Sequence, residues 1–382
     1  MSAVVRPSRR RRAAPDPATE IRLVRLSALR GANYWSRRPV TRMDLVVGRY
    51  DEISSADVPG LEEQLLAALP GLAQHRCSLG TCGGFVERLR RGTYAPHIAE
   101  HVALELQVAI GHDVGYGRAR GGDAPGEYTL VVEHWHELVG ARAVAAALDT
   151  VQHAFAGTLG GVEHVLAELR ALAATPDVPA LTQRVSCAIT GGSGRAATRR
   201  ELARRGVGPS PAGQAGDSAG DGALVVDLAP AYLLQQGLPY RRSDVAIVLD
   251  VAPVGVPARY RTPERAARLM SVIVDGAEGG VVVAPAEARE VLAYARERGC
   301  QLAVFSAAGD GRPRADPAHD APHARAWVEG GRIRVERRAG RARDLGPPRA
   351  GVPDAAQLAA ALATVMLRDT EPSRAGADAA AP

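Results

Sequence analysis

His97 and His101 stand four residues apart, with Glu100 between them. On a helix this spacing projects both imidazoles from one face and sets Glu100 on its edge. Two neutral imidazoles hold a divalent ion, zinc by preference, and a carboxylate beside them takes a proton from water activated there. The order H-x-x-E-H is that of the inverted zinc-peptidase motif. The bland alternative is a pair of partly exposed polar residues on an ordinary helix, since five-residue patterns recur by chance. A metal site needs a third protein ligand. Glu133, on the β-rich stretch Tyr128 to Trp135, is the first candidate. Glu105, one helical turn beyond His101, is the second, and His134 and His136 follow. Cys77 and Cys82 are near in sequence and able to ligate, but thiols of this kind more often sit in cores or loops. Arg118 and Arg120 have the geometry to grip a substrate carboxylate, or else line a solvated loop.

These residues need elements to position them. Residues 95–110 form an amphipathic helix with Ile98, Val102, Leu106 and Ala109 on one stripe. Before it, residues 21–29 and 41–50 read as strands, 61–69 as a short helix, and 83–90 as a strand edge or turn. After it come a strand near 128–135 and an Ala-rich helix over 138–156. Without strict βαβ alternation, residues 21–175 are expected to be an α+β domain. Residues 1–20 read as a disordered basic tail, and Thr175 to Pro179 as the domain boundary.

Beyond it, apolar strands near 184–190, 223–228, 244–251, 280–284 and 301–306 alternate with helices, notably 263–274 and 286–298. This predicts an α/β, Rossmann-like domain with a parallel sheet over 184–345, then a helix (355–367) and tail within 346–382. Residues 207–222 and 308–323 read as loops.

The 382 residues suffice for two domains, and 46% apolar content supplies a core. Aromatics make up 4%, so that core must be built of Ala, Val and Leu. All 47 basic residues are arginine, which excludes any step needing a lysine amine. A net charge of +5, with no basic face interleaved with aromatics, gives no support to nucleic-acid binding. With no long apolar run and four scattered cysteines, the expectation is a soluble cytoplasmic protein with free thiols and no membrane partner.

Several stretches together carry a resemblance. Gly31-Ala32-Asn33-Tyr34-Trp35-Ser36 follows the first strand, and His75-Arg76-Cys77-Ser78 precedes Gly83-Gly84-Phe85. Arg91-Gly92-Thr93, then His97 to Gln107, Gly115 to Arg118 and Val131 to Glu133 complete the set. In this order they resemble the N-terminal domain of cyanophycin synthetases over about residues 21–155. The resemblance implies a domain that binds the Asp-Arg polymer and, in some members, cuts it as a metal-dependent hydrolase. It would put the metal on His97 and His101 with Glu100 as general base, and it leaves the third ligand open.

Family members continue with an ATP-grasp domain, for which the stretch between residues 155 and 184 has no room, and then a Mur-ligase-like domain. Residues 184–306 are similar to the latter. Its phosphate-loop position runs from Thr190 to Thr198 and keeps Gly191 and Gly194. Arg195 stands where the lysine belongs and Ala196 where the Mg²⁺-binding hydroxyl belongs. Asp227 replaces a metal-binding Glu, Met270 replaces the carbamylated lysine, and the Asp-His pair is missing around Pro253 to Gly255. Ala284-Pro285-Ala286 replaces the nucleotide-contacting stretch, and the final Mur-ligase domain has no counterpart. ATP is therefore not expected as a cofactor.

Three readings follow. The first is a hydrolase, holding a divalent metal such as zinc, that acts on cyanophycin or another Asp/Arg-rich peptide. The second is a non-catalytic binding, regulatory or scaffold protein that captures an Asp/Arg-rich polymer, forms a homo-oligomer or associates with a full synthetase. The third is a residual ATP-dependent ligase.

Overall fold

The computed structural model describes residues 16, 19–177, 182–208, 224–306, 311–313 and 321–370. The expected tails at 1–20 and 369–382 and the loops at 207–222 and 308–323 lie largely outside them. Two compact units form: residues 1–26 with 40–177, and residues 27–39 with 178–382.

In the first unit, β1 (Arg22–Leu29), β2 (Val40–Val46), β3 (Gly117–Gly121) and β4 (Glu127–Glu133) form one sheet in the order β1-β2-β4-β3. β4 pairs antiparallel with both β2 and β3. β1 lies at the edge, and Arg22 to Leu26 are exposed rather than alternately buried as expected.

The helices are α1 (Leu61–Ala68), α2 (Gly84–Arg91), α3 (Ala95–Val108), α4 (Glu137–Phe155) and α5 (Glu163–Ala173). α3 starts with proline in its first turn, where no backbone donor is lost. It packs on α4, β3 and β4 and is buried on nearly all sides. Small residues allow this closeness: Ala99 and Ala103 of α3 and Ala143, Ala146 and Ala147 of α4 belong to one core. Val102 and Leu106 are fully buried, each contributing about 1.5–3 kcal/mol.

The stretch read as a strand edge at 83–90 is the helix α2. Phe85 and Leu89 are four apart and buried with Val86, while Arg88, Arg90 and Arg91 cluster at its C-terminal end, where the helix dipole favours cations. The paired glycines in front of it obscured the helical period.

In the second unit, β5 (Thr182–Thr190), β6 (Val225–Leu228), β7 (Tyr240–Val248), β8 (Val281–Pro285), β9 (Gln301–Phe305), β10 (Ala324–Glu329), β11 (Arg332–Arg337) and β12 (Arg343–Asp344) form an eight-stranded sheet. The order is β12-β11-β10-β9-β8-β7-β5-β6. β6 through β10 are parallel, as the expected α/β class requires, and β11 and β12 add antiparallel strands. The expectation did not include the antiparallel extension, in which Ala324, Ala326, Ile333 and Val335 face the core.

Around this sheet lie α6 (Arg195–Arg204), α7 (Pro230–Gln236), α8 (Pro263–Met270), α9 (Val272–Gly276), α10 (Arg289–Glu297) and α11 (Asp354–Thr370). The single helix expected over 263–274 is broken at Ser271. Its hydroxyl donates to the Ala267 carbonyl at 2.8 Å, a back-bond that bends helices.

The boundary falls at Asp177, inside the expected stretch, but residues 27–39 belong to the second unit rather than the first. The Leu238 amide donates to the Ala32 carbonyl at 2.8 Å, and Tyr34 and Trp35 pack edge-to-face on Tyr260 at 5.3 and 5.9 Å. A side chain at Gly31 would collide with Leu238, its Cβ falling 2.3 Å from the carbonyl oxygen.

Candidate metal centre

α3 presents His97, Glu100 and His101 as the spacing required. A short 3-10 turn, Cys77–Leu79, brings a third ligand type to them. Ligand atoms of Cys77, His97 and His101 all lie within 4.8 Å of one another. Cys77 Sγ sits 3.3 Å from His97 Nε2. A tetrahedral zinc with ordinary Zn–S and Zn–N bonds sets these two atoms about 3.6 Å apart, so the donors are spaced for the ion. Cys77 is also the one non-glycine residue with positive φ (53°) among those described.

Each imidazole is oriented through its other nitrogen. Thr93 Oγ1 lies 2.8 Å from His97 Nδ1, and His75 Nδ1 lies 2.9 Å from His101 Nδ1. The Phe85 ring stacks on His101 with centroids 4.1 Å apart. Burial, reinforced by Arg88, holds His97 down at about 4. Burial, with His97 and His75 adding repulsion, holds His101 down at about 3. Both rings are therefore neutral, as ligands must be.

Glu100 is buried, and burial pushes its carboxyl up to about 7. A backbone bond from Ala119 and the charge of Arg118 pull the other way and offset part of this. Space for it exists because residue 117 is glycine: a Cβ there would lie 2.6 Å from Glu100 Cγ. The surrounding groove, about 770 Å³, is lined by Cys77, His97, Glu100, His101 and the arginines Arg76, Arg118 and Arg120.

The other sequence candidates go elsewhere. Glu133 does not join His97 and His101. Its carboxylate accepts from the amides of Gly115 and Tyr116 at 3.1 and 3.0 Å, shaping the loop into β3. Glu105 turns to His75 Nε2 at 3.0 Å. His134 bonds Thr41 Oγ1 at 3.0 Å, and His136 bonds the Thr175 carbonyl at 3.1 Å. Cys82 donates to Gln74 Oε1. Cys77 was underweighted because it precedes His97 by 20 residues with no ligand spacing to mark it. The one available signal was His75-Arg76-Cys77, two ligating residue types within three positions.

In the second unit the glycine loop after β5 is filled by the protein itself. Asp250 accepts from the amides of Gly192 and Ser193 at 2.7 and 3.2 Å, and from Ala252 at 2.9 Å. Arg195 folds back to donate to the Gly191 carbonyl. Gly191 and Gly194 hold φ of 139° and 77°, conformations that favour glycine. Met270 is buried under the loop, with Thr190 Oγ1 3.7 Å from its sulfur.

With this geometry in place, comparison with known proteins identifies the first unit. The family model of the cyanophycin synthase-like N-terminal domain matches residues 42–156. Residues 42–156 are thus similar to the cyanophycin synthase-like N-terminal domain. Cyanophycin synthetases from Trichormus variabilis and from Nostoc sp. are each 45% identical to the chain over 137 residues. That of Synechocystis sp. is 44% identical over 133 residues. The Trichormus match covers 35% of this chain and 15% of the synthetase, so the likeness to these curated relatives is confined to a small part of their length. A MurF ligase from Thermotoga maritima in complex with ADP overlaps with a TM-score of 0.33 and 17% identity, over 50% of this chain and 46% of that one. The cyanophycin synthase-like domain contains the whole Cys77, His97, Glu100, His101 cluster. No described helix is long and apolar enough to cross a membrane.

Proposed function

We propose that the cyanophycin synthase-like domain is a divalent-metal hydrolase, zinc being the preferred ion, that cuts amide bonds in cyanophycin or a similar Asp/Arg-rich peptide. The observation that carries this is the convergence of Cys77, His97 and His101 beside a buried Glu100 in an open groove. One thiolate and two neutral imidazoles are the donor set of a catalytic zinc site with one position left for substrate or water. An ion held there would polarise the scissile carbonyl and acidify the attacking water. Glu100, with its carboxyl near 7, is matched to take that proton at neutral pH and return it to the leaving amine. Arg76, Arg118 and Arg120 give the groove a positive wall for the carboxylates of an acidic polymer.

The second unit serves in this reading as a scaffold or docking body, for a second copy of the chain or a full synthetase. ATP has no part in this reading, which the Asp250 carboxylate on the Gly192 and Ser193 amides supports. A cytoplasmic location, where Cys77 stays reduced, belongs to the same proposal. The alternative of a purely binding or regulatory protein shares the groove but needs no metal.

Metal content by mass spectrometry separates them, wild type beside His97→Ala/His101→Ala. About one zinc per chain, lost in the double variant, together with cyanophycin cleavage that Glu100→Gln abolishes, is the expected outcome. Neither protein retaining metal after supplementation would remove the hydrolase and leave the binding role.

A further inference from the structure

We infer that His75 and Glu105 form a relay that sets the tautomer and aim of His101, making them positioning residues for the metal centre; this rests on the metal reading above. Hydrogen-bond bookkeeping supplies the direction. A carboxylate only accepts, so Glu105 Oε2, 3.0 Å from His75 Nε2, requires the proton on that nitrogen. A neutral His75 then carries its lone pair on Nδ1, which faces His101 Nδ1 at 2.9 Å. His101 must therefore donate from Nδ1, which leaves the Nε2 lone pair as its ligand atom. Thr93 Oγ1 contacts His97 Nδ1, and His97 Nε2 faces the Cys77 sulfur. Ligating histidines gain basicity and a fixed ring from such outer partners. Here the usual carboxylate acts through a second imidazole.

The packing is built for this chain of contacts. Glu105 and His101 are buried, and both lie on α3, one turn apart. The Glu105 carboxylate fills the space where Gly71 lacks a side chain: a Cβ there would fall 1.9 Å from Glu105 Oε1. Gly71 does not have positive φ, so alanine suits its backbone and would act only by displacing the carboxylate. Phe85 stacks on His101 with centroids 4.1 Å apart, which restrains the tilt of the ring.

The test is cobalt(II) titration of the full chain, followed by the thiolate-to-cobalt absorption band, in wild type, Cys77→Ser, His75→Phe, Glu105→Gln and Gly71→Ala. Wild type should bind with a thiolate band that Cys77→Ser loses. His75→Phe should bind about 10–100-fold more weakly with the band retained. Glu105→Gln and Gly71→Ala should weaken binding several-fold. In a His101→Ala background, His75→Phe should add nothing further, which a general loss of stability would not reproduce. Should His75→Phe fail to fold, Glu105→Gln and Gly71→Ala decide alone. Wild-type affinity in all three relay variants overturns the relay while leaving the metal site standing. A wild type that binds no cobalt overturns both.

Discussion

Cys77 Sγ meets His97 Nε2 at 3.3 Å from a backbone held at a φ of 53°. A left-handed cysteine costs about 1–2 kcal/mol, and the proposed metal site gives that strain a function.

Replacing Cys77 with glycine separates these two properties. Cys77→Gly should lose at least about 100-fold in zinc affinity, measured by chelator competition, while the thermal midpoint of the metal-free protein holds or rises. A variant with wild-type zinc affinity would remove Cys77 from the ligand set.

Glu100→Gln should keep the metal and lose about 10²–10⁴-fold in the rate of polymer cleavage. Gly117→Ala should do much the same, because its Cβ would lie 2.6 Å from Glu100 Cγ and must push the carboxylate away. Equal rates in wild type and Glu100→Gln would deny Glu100 the role of base.

Arg195→Lys restores the expected phosphate-loop lysine but should restore no ATP hydrolysis, since Asp250 still holds the Gly192 and Ser193 amides. Asp250→Ala should cost about 0.5–1.5 kcal/mol of stability in urea by exchanging the carboxylate for water at those partly exposed amides. Turnover of ATP in Arg195→Lys would revive the ligase reading.

His134 gives the first unit a pH dependence. Burial holds it down at about 4 against an ordinary 6.5, so the folded state binds its proton more weakly than the unfolded state. The stability it supports is complete above pH 6.5 and is lost as pH falls towards 4, roughly 1–3 kcal/mol in all. Urea midpoints between pH 7.5 and 4.5 should fall for wild type and fall less for His134→Asn. Parallel slopes would show that His134 titrates normally.

The four-residue spacing of His97 and His101, on a helix whose stripe begins at Ile98, was legible in the chain because both follow from a local period of 3.6 residues. So was the alternation of apolar strands and helices after residue 184, since buried parallel strands read as apolar runs. α2 escaped because its glycines hid a period only two turns long.

What local order cannot carry is which distant residue arrives. Glu133 lies on the expected strand, yet its carboxylate is consumed by two amides of the adjoining loop. Cys77 and His75 reach α3 on a turn where Gly84 lies against the Arg76 carbonyl, while Gly71 and Phe85 meet Glu105 and His101 of that helix. Likewise, the missing lysine at Arg195 was visible in the sequence, but the carboxylate of Asp250 in the loop was not, because 55 residues and two strands separate them. The sequence by itself determined the chemistry available on α3. Tertiary packing decided that Cys77 meets His97, that His75 meets His101 and that Asp250 fills the loop, because each is a contact between segments that no periodicity relates.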